Sequence, residues 1–327
     1  MKAAVHREYG PPDVVQIEDV EKPVANDNEV LIEVRAASVN PLDWHFMRGK
    51  PYIVRLFTGL RKPRNPRMGR DLAGRVEAVG KNVRRFHPGD EVFGAGGGAF
   101  ADYACVRENA LSLKPTNLTF EQAAAVPVAA ISALQGVRDK GRIQLGQKVL
   151  INGAAGGVGT FAVQIAKSFG ADVTGVCSTR NVNMVRSIGA DRVIDYTRED
   201  FTESGERYDF IFDCVGNRSL SDLRRVMSPR AISLGFGAPK GQWIAPLTGA
   251  LKALVWSMFR SQKLVGFIAS INNQDLVVLK ELIESKKVTP VIDRRYRLSE
   301  APEAIRYLEE GHARGKVVIT LEKNNQT

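Results

Sequence analysis

Cysteine, histidine and long apolar runs are all scarce in this chain of 327 residues. Its three cysteines, Cys105, Cys177 and Cys214, lie far apart and form no CxxC pair. Such spacing argues against a disulfide framework and a cysteine-rich metal site, and it fits a reducing, cytoplasmic setting. The four histidines (His6, His45, His87, His312) have no metal-ligand spacing among themselves or with a cysteine, so no metal site is expected. No stretch reaches the run of about 20 apolar residues that crossing a bilayer requires. The opening Met1-Lys2-Ala3-Ala4-Val5-His6-Arg7 lacks the apolar core of a signal peptide. The most apolar amphipathic segment, Gln242–Phe259, is interrupted by Pro246 and Lys252. It reads as a packed helix rather than a membrane element.

Acids are locally scarce too. The net charge is +10, and nine basic residues against Asp71 alone fall between Arg48 and Arg75. A basic segment can steer anions or nucleic acid toward a cleft. Aromatics are few there beyond Tyr52 and Phe57, and prolines stand at 51, 63 and 66. A solvated, mobile loop is the expectation, with no nucleic-acid partner.

What is present is concentrated in Val149-Leu150-Ile151-Asn152-Gly153-Ala154-Ala155-Gly156-Gly157-Val158-Gly159. An apolar strand runs into a glycine-rich turn and then a helix carrying Val163, Ile165, Ala166 and Phe169. A dinucleotide site needs that order: a tight turn, close backbone approach to a pyrophosphate, and helix N–H groups aimed at phosphate. Gly153, Ala155, Gly156, Gly157, Val158 and Gly159 are therefore candidate cofactor-binding residues. A second strand, Asp172–Cys177, follows one βαβ unit later. An NAD-type site places an acid about 20 residues beyond the glycines. Here that place reads Cys177-Ser178-Thr179-Arg180-Asn181, with no acid. Ser178, Thr179 and Arg180 suit a 2′-phosphate instead, so NADPH is the expected cofactor.

Short alternating strands with turn signals fill the chain up to about Leu118, which suggests an antiparallel, partly barrelled β domain. Thr119 and Gln122 stand at capping-box spacing and open the helical region. Six strands then alternate with helices: Lys148–Ile151, Asp172–Cys177, Arg192–Ile194, Phe210–Asp213, Ala231–Leu234 and Lys263–Ile268, the makings of a doubly wound parallel sheet. Helices over Asn273–Ser285 and Glu300–Glu310 and a strand over Val291–Tyr296 precede a last strand, Gly315–Leu321. That last strand has no place in the parallel sheet and is returned to the N-terminal domain. Domains are expected at 1–122, 123–270 and 271–327, the third completing the first.

The chain resembles the zinc-independent medium-chain dehydrogenase/reductases, close to the zeta-crystallin-like quinone oxidoreductases. The resemblance rests on Ser38-Val39-Asn40-Pro41-Leu42-Asp43, Gly69-Arg70-Asp71-Leu72-Ala73-Gly74, Gly89-Asp90-Glu91-Val92, the glycine turn, Asp213-Cys214-Val215-Gly216 and Gly315-Lys316-Val317-Val318. It implies an α/β fold: a GroES-like β-rich catalytic domain, a Rossmann domain, an active site in the cleft between them, and a homodimer through the sheet edge. Zinc-dependent relatives carry cysteine where this chain has Asn40 and histidine where it has Arg70; neither residue is a good zinc ligand. The four-cysteine lobe has no counterpart in Phe93–Phe100. Without a Lewis acid, the substrate should accept hydride readily, as a quinone or an α,β-unsaturated carbonyl does. The resemblance sets Asn40 beside the nicotinamide, with His45 or Tyr52 as proton donor. It adds Tyr196 near the 2′-phosphate, and Val215, Gly216, Phe236, Phe267, Ile268 and Lys316 to the cofactor set. Alternatives are a non-catalytic NADPH-binding protein and a zinc-free aldehyde reductase.

Overall fold

The computed structural model describes residues 1–235 and 261–321. Phe236 and the Gln242–Phe259 segment lie outside the described residues. The chain divides into two compact units. The first is Met1–Ile131, Ser270–Lys286 and Pro290–Thr327; the second is Ser132–Ala269 with Lys287–Thr289. The first boundary falls after Ile131 rather than after residue 122. The helix Phe120–Ala124 packs on strands Glu29–Val39 and Asp71–Val79 and buries Ala123 and Ala124 there, so it stays with the first unit. Thr119 and Gln122 form the capping box the spacing suggests, Gln122 N donating to Thr119 Oγ1 and Thr119 N to Gln122 Oε1.

The first unit is built on a seven-stranded sheet. Its path runs Ile292–Arg297, Lys316–Thr320, Glu29–Val39, Asp71–Val79, Glu91–Ala95, Leu111–Leu113, and Tyr103–Arg107 also pairs with Glu29–Val39. The long central strand changes partner along its length: Glu29–Glu33 pairs with Tyr103–Arg107, and Ala36–Val39 with Lys316–Thr320. Register shifts between Leu31/Ile32 and Val34/Ala36 bend it at the changeover. The last strand is antiparallel to Glu29–Val39 and parallel to Ile292–Arg297, so the sheet is not wholly antiparallel. Val30, Ile32, Leu72, Val92 and Phe100 form its core with Ala304, Ile305, Val317 and Ile319 from the C-terminal segment.

In the second unit six strands lie in parallel. Across the sheet they run Arg192–Asp195, Asp172–Cys177, Lys148–Asn152, Tyr208–Asp213, Met227–Gly235 and Lys263–Gly266. Numbered along the chain that order is 3-2-1-4-5-6, the doubly wound arrangement with its reversal beside the first strand. Val149, Leu150, Ile151, Phe210, Ile211 and Phe212 are all fully buried, as strands covered on both faces must be. The helix Gly157–Ser168 buries Phe161, Ala162, Val163, Ile165 and Ala166. Its Gln164 accepts from Thr289 N (2.8 Å) and donates to Thr289 O (3.0 Å), which ties residues 287–289 to this unit.

Candidate active site

The glycine turn sits at the sheet's reversal. Strand Lys148–Asn152 ends in Gly153 at φ +83°, a left-handed conformation that strains other residues. Gly156 caps the helix Gly157–Ser168 without a side chain. A Cβ on Gly159 would stand 2.1 Å from Gly153 O, so only glycine closes this turn. A Cβ on Gly156 would meet only Gly153 O, at 3.4 Å. Space at Gly156 is thus not needed for the chain's own packing. Ala155 is buried, while Gly156, Gly157 and Val158 are partly exposed. On the neighbouring strand end, Asp213 Oδ1 accepts from Val215 N (3.0 Å), Gly216 N (2.9 Å) and Asn152 Nδ2 (2.8 Å). Gly216, at φ +69°, has no described atom within 4 Å of the position a Cβ would take. A glycine turn at the reversal of a doubly wound sheet is the place where such sheets take a dinucleotide. Ile268, past the sixth strand, is 96% exposed, and Phe267 lies 6.0 Å from Lys140 Nζ.

At the end of the second strand Ser178, Thr179 and Arg180 enter a short 3₁₀ turn, with Thr179 and Arg180 exposed. Tyr196 is 52% exposed just beyond the third strand. The sequence reading found no acid at this place, but the fold supplies one. Asp195, aligned with Cys177 across the sheet, accepts from Thr179 Oγ1 (2.6 Å) and Thr197 Oγ1 (2.8 Å). Those hydrogen bonds, Thr179's first, lower its pKa. Thr179 therefore spends its hydroxyl proton on Asp195 and cannot offer it to a phosphate. Ser178 Oγ only accepts, from Asn181 Nδ2 at 3.2 Å, and keeps its proton.

In the first unit the family-derived residues converge on a buried polar cluster. Asn40, Asp43, Asp71 and Lys316 are each 3% exposed or less. Asn40 is the N-cap of helix Pro41–Arg48. Its Nδ2 donates to Asp71 Oδ2 (2.9 Å) and Ser38 O (3.3 Å), and its Oδ1 accepts from Lys316 Nζ (2.7 Å). Asp43 holds the helix start, accepting from Asn40 N at 2.7 Å. Asp71 is further held by Ser38 Oγ (2.9 Å), Val128 N (3.0 Å) and Lys316 Nζ (3.4 Å). Buried charge is tolerable only with this degree of pairing. Two expectations change. Lys316, placed by the resemblance with the cofactor set, is the ammonium partner of Asn40 and Asp71. Both amide protons of Asn40 are spent within the chain, so it does not stand ready to donate to an oxyanion. Burial pushes the Asp43 carboxyl up to about 7, with Asp71 adding to the rise.

His45 stacks on Trp44 at 3.7 Å, and its Nδ1 lies 2.8 Å from Lys50 O. A carbonyl partner assigns the proton to Nδ1, and burial lowers the ring's pKa. The neutral ring presents Nε2 as an acceptor, which removes His45 as a proton donor near pH 7. Tyr52 is half-buried, 4.9 Å from the Arg55 guanidinium. The basic segment is exposed at Arg61, Lys62 and Arg64, as a solvated loop would be, but parts of it are held by other groups. Arg48 pairs with Glu309, Arg75 with Glu91, Arg55 lies 4.5 Å over the Tyr9 ring, and Val54–Thr58 is helical. These partners hold the two ends of the segment and Arg55, and counting charges along the sequence cannot reveal them. A cavity of about 210 Å³ lies within the first unit, lined by Asp43, Phe46, Phe57, Arg64, Arg67, Met68 and Arg70 among others. Asn40, His45 and Tyr52 do not line it.

These two units define a GroES-like plus Rossmann-type architecture. Residues 26–116 match the alcohol dehydrogenase GroES-like domain, and residues 188–319 match a zinc-binding dehydrogenase model. The chain is 35% identical to the NAD(P)H oxidoreductase RTN4IP1, mitochondrial, of Mus musculus, over 98% of this chain and 89% of that protein. It is also 35% identical to an NADPH-dependent alkenal/one oxidoreductase, chloroplastic, of Arabidopsis thaliana, over 98% and 79% respectively. The solved quinone oxidoreductase of Coxiella burnetii superposes with a TM-score of 0.86 at 31% identity, covering 98% of this chain and 99% of that one. The chain belongs to the medium-chain dehydrogenase/reductase superfamily, in the branch of quinone and alkenal oxidoreductases. One matching model is described by zinc, but the residues here do not fit that ion. Asn40 is engaged at both ends of its amide, and Arg70 has no lone pair to offer. Among the described residues no group of three or more His, Cys, Asp or Glu could hold a metal. Among them, too, no helix is long and apolar enough to cross a membrane.

Proposed function

We propose that this protein is an NADPH-dependent oxidoreductase that delivers hydride to a quinone or an α,β-unsaturated carbonyl without zinc. One observation carries the reading. The glycine turn lies at the reversal of a doubly wound sheet, in a chain 35% identical to an alkenal/one oxidoreductase named for NADPH. When bound, NADPH supplies the hydride. Gly153, Ala155, Gly156, Gly157, Val158 and Gly159 hold its pyrophosphate; Ser178, Arg180 and Tyr196 receive the 2′-phosphate, with Thr179 set by Asp195. Val215, Gly216, Phe267 and Ile268 border the nicotinamide.

Asn40 is a positioning residue: with Lys316 and Asp71 it fixes the loop against which the acceptor lies. Alignment then supplies most of the acceleration. With no cation-binding donor set at Asn40 and Arg70, the acceptor itself must be electrophilic. Tyr52 is the remaining candidate on the chain for the proton. A cytoplasmic setting agrees with three free thiols, and a homodimer through the sheet edge at Lys263–Gly266 completes the reading.

NADPH oxidation measured against quinones, 2-alkenals and enones, before and after exhaustive chelation, tests the proposal. Turnover of at least one class, unchanged by chelation, is expected. No oxidation with any acceptor, or loss of activity restored by zinc, overturns it. Light scattering at the mass of one chain would overturn the dimer.

A further inference from the structure

The cavity of the first unit gathers charge that the proposed reaction does not use. Arg64, Arg67 and Arg70 line it together, beside Asn65 and Thr58. Arg48 and Arg75, at the two ends of the same basic segment, are paired with Glu309 and Glu91. Arg64, Arg67 and Arg70 form no ion pair among the described residues. Three arginines without a salt bridge around one cavity give it a positive character that an entering anion would meet. Among the described residues Asp43 is the one acid in the wall, and burial holds its carboxyl up near 7, so below that pH it opposes the arginines little. Phe46, Phe57 and Met68 supply apolar wall for a carbon skeleton.

We infer that this cavity seats an anionic group, carboxylate or sulfonate, carried by the hydride acceptor itself. The preferred acceptors are then quinones and enones with a negatively charged substituent. This inference rests on the hydride-transfer reading, which sets Asn40 beside the acceptor. Asp43 joins the two places, since it lines the cavity and accepts the Asn40 backbone N–H at 2.7 Å. Arg64 and Arg67 come from the segment between Pro51 and Met68, so that segment sets substrate selection. Each guanidinium can grip a carboxylate with two donors, which a lysine could not.

A matched pair of enones tests it: 3-benzoylacrylate and its methyl ester, with NADPH. The ionised acid is intrinsically the poorer hydride acceptor, so a preference for it cannot come from reactivity. Wild-type kcat/KM is expected to be about tenfold or more higher for the acid, carried by KM, as one lost charge-assisted bond would imply. Arg67→Gln and Arg64→Gln should each remove about tenfold from the acid and leave the ester within about twofold. Arg67→Lys should restore part of the loss; a purely structural role for Arg67 would lower both substrates together. Equal kcat/KM for acid and ester, or an acid preference that survives both glutamine variants, overturns the inference while the hydride reading stands. If neither enone nor any quinone or 2-alkenal oxidises NADPH, the hydride reading is what fails. Calorimetric titration with saturated 3-benzoylpropionate then reads the cavity by itself: binding lost in Arg67→Gln supports the anion site, and no binding to the wild type removes it.

Discussion

The two units make polar sites by opposite means. In the parallel-sheet unit the site is made by leaving side chains out: Gly153 and Gly216 take positive φ at strand ends, Gly159 leaves room for Gly153 O, and a Cβ on Gly156 would meet only Gly153 O. In the first unit it is made by burying charge: Asp71 and Lys316 are 0% and 3% exposed and meet through Asn40. A backbone site fails when atoms are added, whereas a side-chain site fails when one partner is removed. That difference sets how each should respond to substitution.

Removing one partner has the largest expected effect. Lys316→Met leaves the Asp71 carboxylate buried and unpaired, which should cost about 3–5 kcal/mol of stability by urea denaturation. The double variant with Asp71→Asn should recover much of that, and additive losses would refute the pairing. Next come the glycines, which divide. Gly159→Ala drives a methyl to 2.1 Å from Gly153 O and should cost about 3 kcal/mol through overpacking, with NADPH binding lost. Gly156→Ala meets nothing closer than 3.4 Å, so it should fold normally and still bind NADPH poorly. Matching stabilities for the two variants would erase the distinction. Arg180→Ala should weaken NADPH by about 1.5–3 kcal/mol, the range of a charged hydrogen bond, and NADH much less. Equal losses in fluorescence titrations would remove the 2′-phosphate assignment.

The smallest effect is in the pH profile. Burial raises the Asp43 carboxyl to about 7 in the folded chain. Its contribution to stability is fully present below the unfolded pKa, near 4, and is lost as pH rises through 7. Between those values the folded chain holds one more proton, so stability falls by at most about 1.4 kcal/mol per pH unit from this group. Asp43→Asn keeps an oxygen for the Asn40 N–H and should flatten that slope; an unchanged slope would place the titration elsewhere.

The parallel-sheet unit was readable in advance because its signals are local. Apolar runs such as Val149–Ile151 and glycines at fixed offsets each act within a few residues. The charged cluster was not, because Asn40 meets Asp71 across 31 positions and Lys316 across 276. The Asn40, Asp71 and Lys316 motifs were each noticed, but only the folded sheet brings them into one hydrogen-bonded group. Asp195 escaped for the same reason: the acid beside Thr179 arrives from the third strand, 16 positions on. The partner at one end of the basic segment was out of reach in the same way, since Arg48 finds its carboxylate at Glu309, 261 positions away.

The strand Lys316–Thr320 lies between Glu29–Val39 and Ile292–Arg297 in the first unit's sheet. During translation its residues leave the ribosome after every other described strand of both units. The six parallel strands, all encoded between Lys148 and Gly266, can assemble while the earlier sheet still waits with an open flank and Asp71 lacking its ammonium. A nascent chain halted before Lys316 would therefore carry one finished unit and one that chaperones and proteases can still attack.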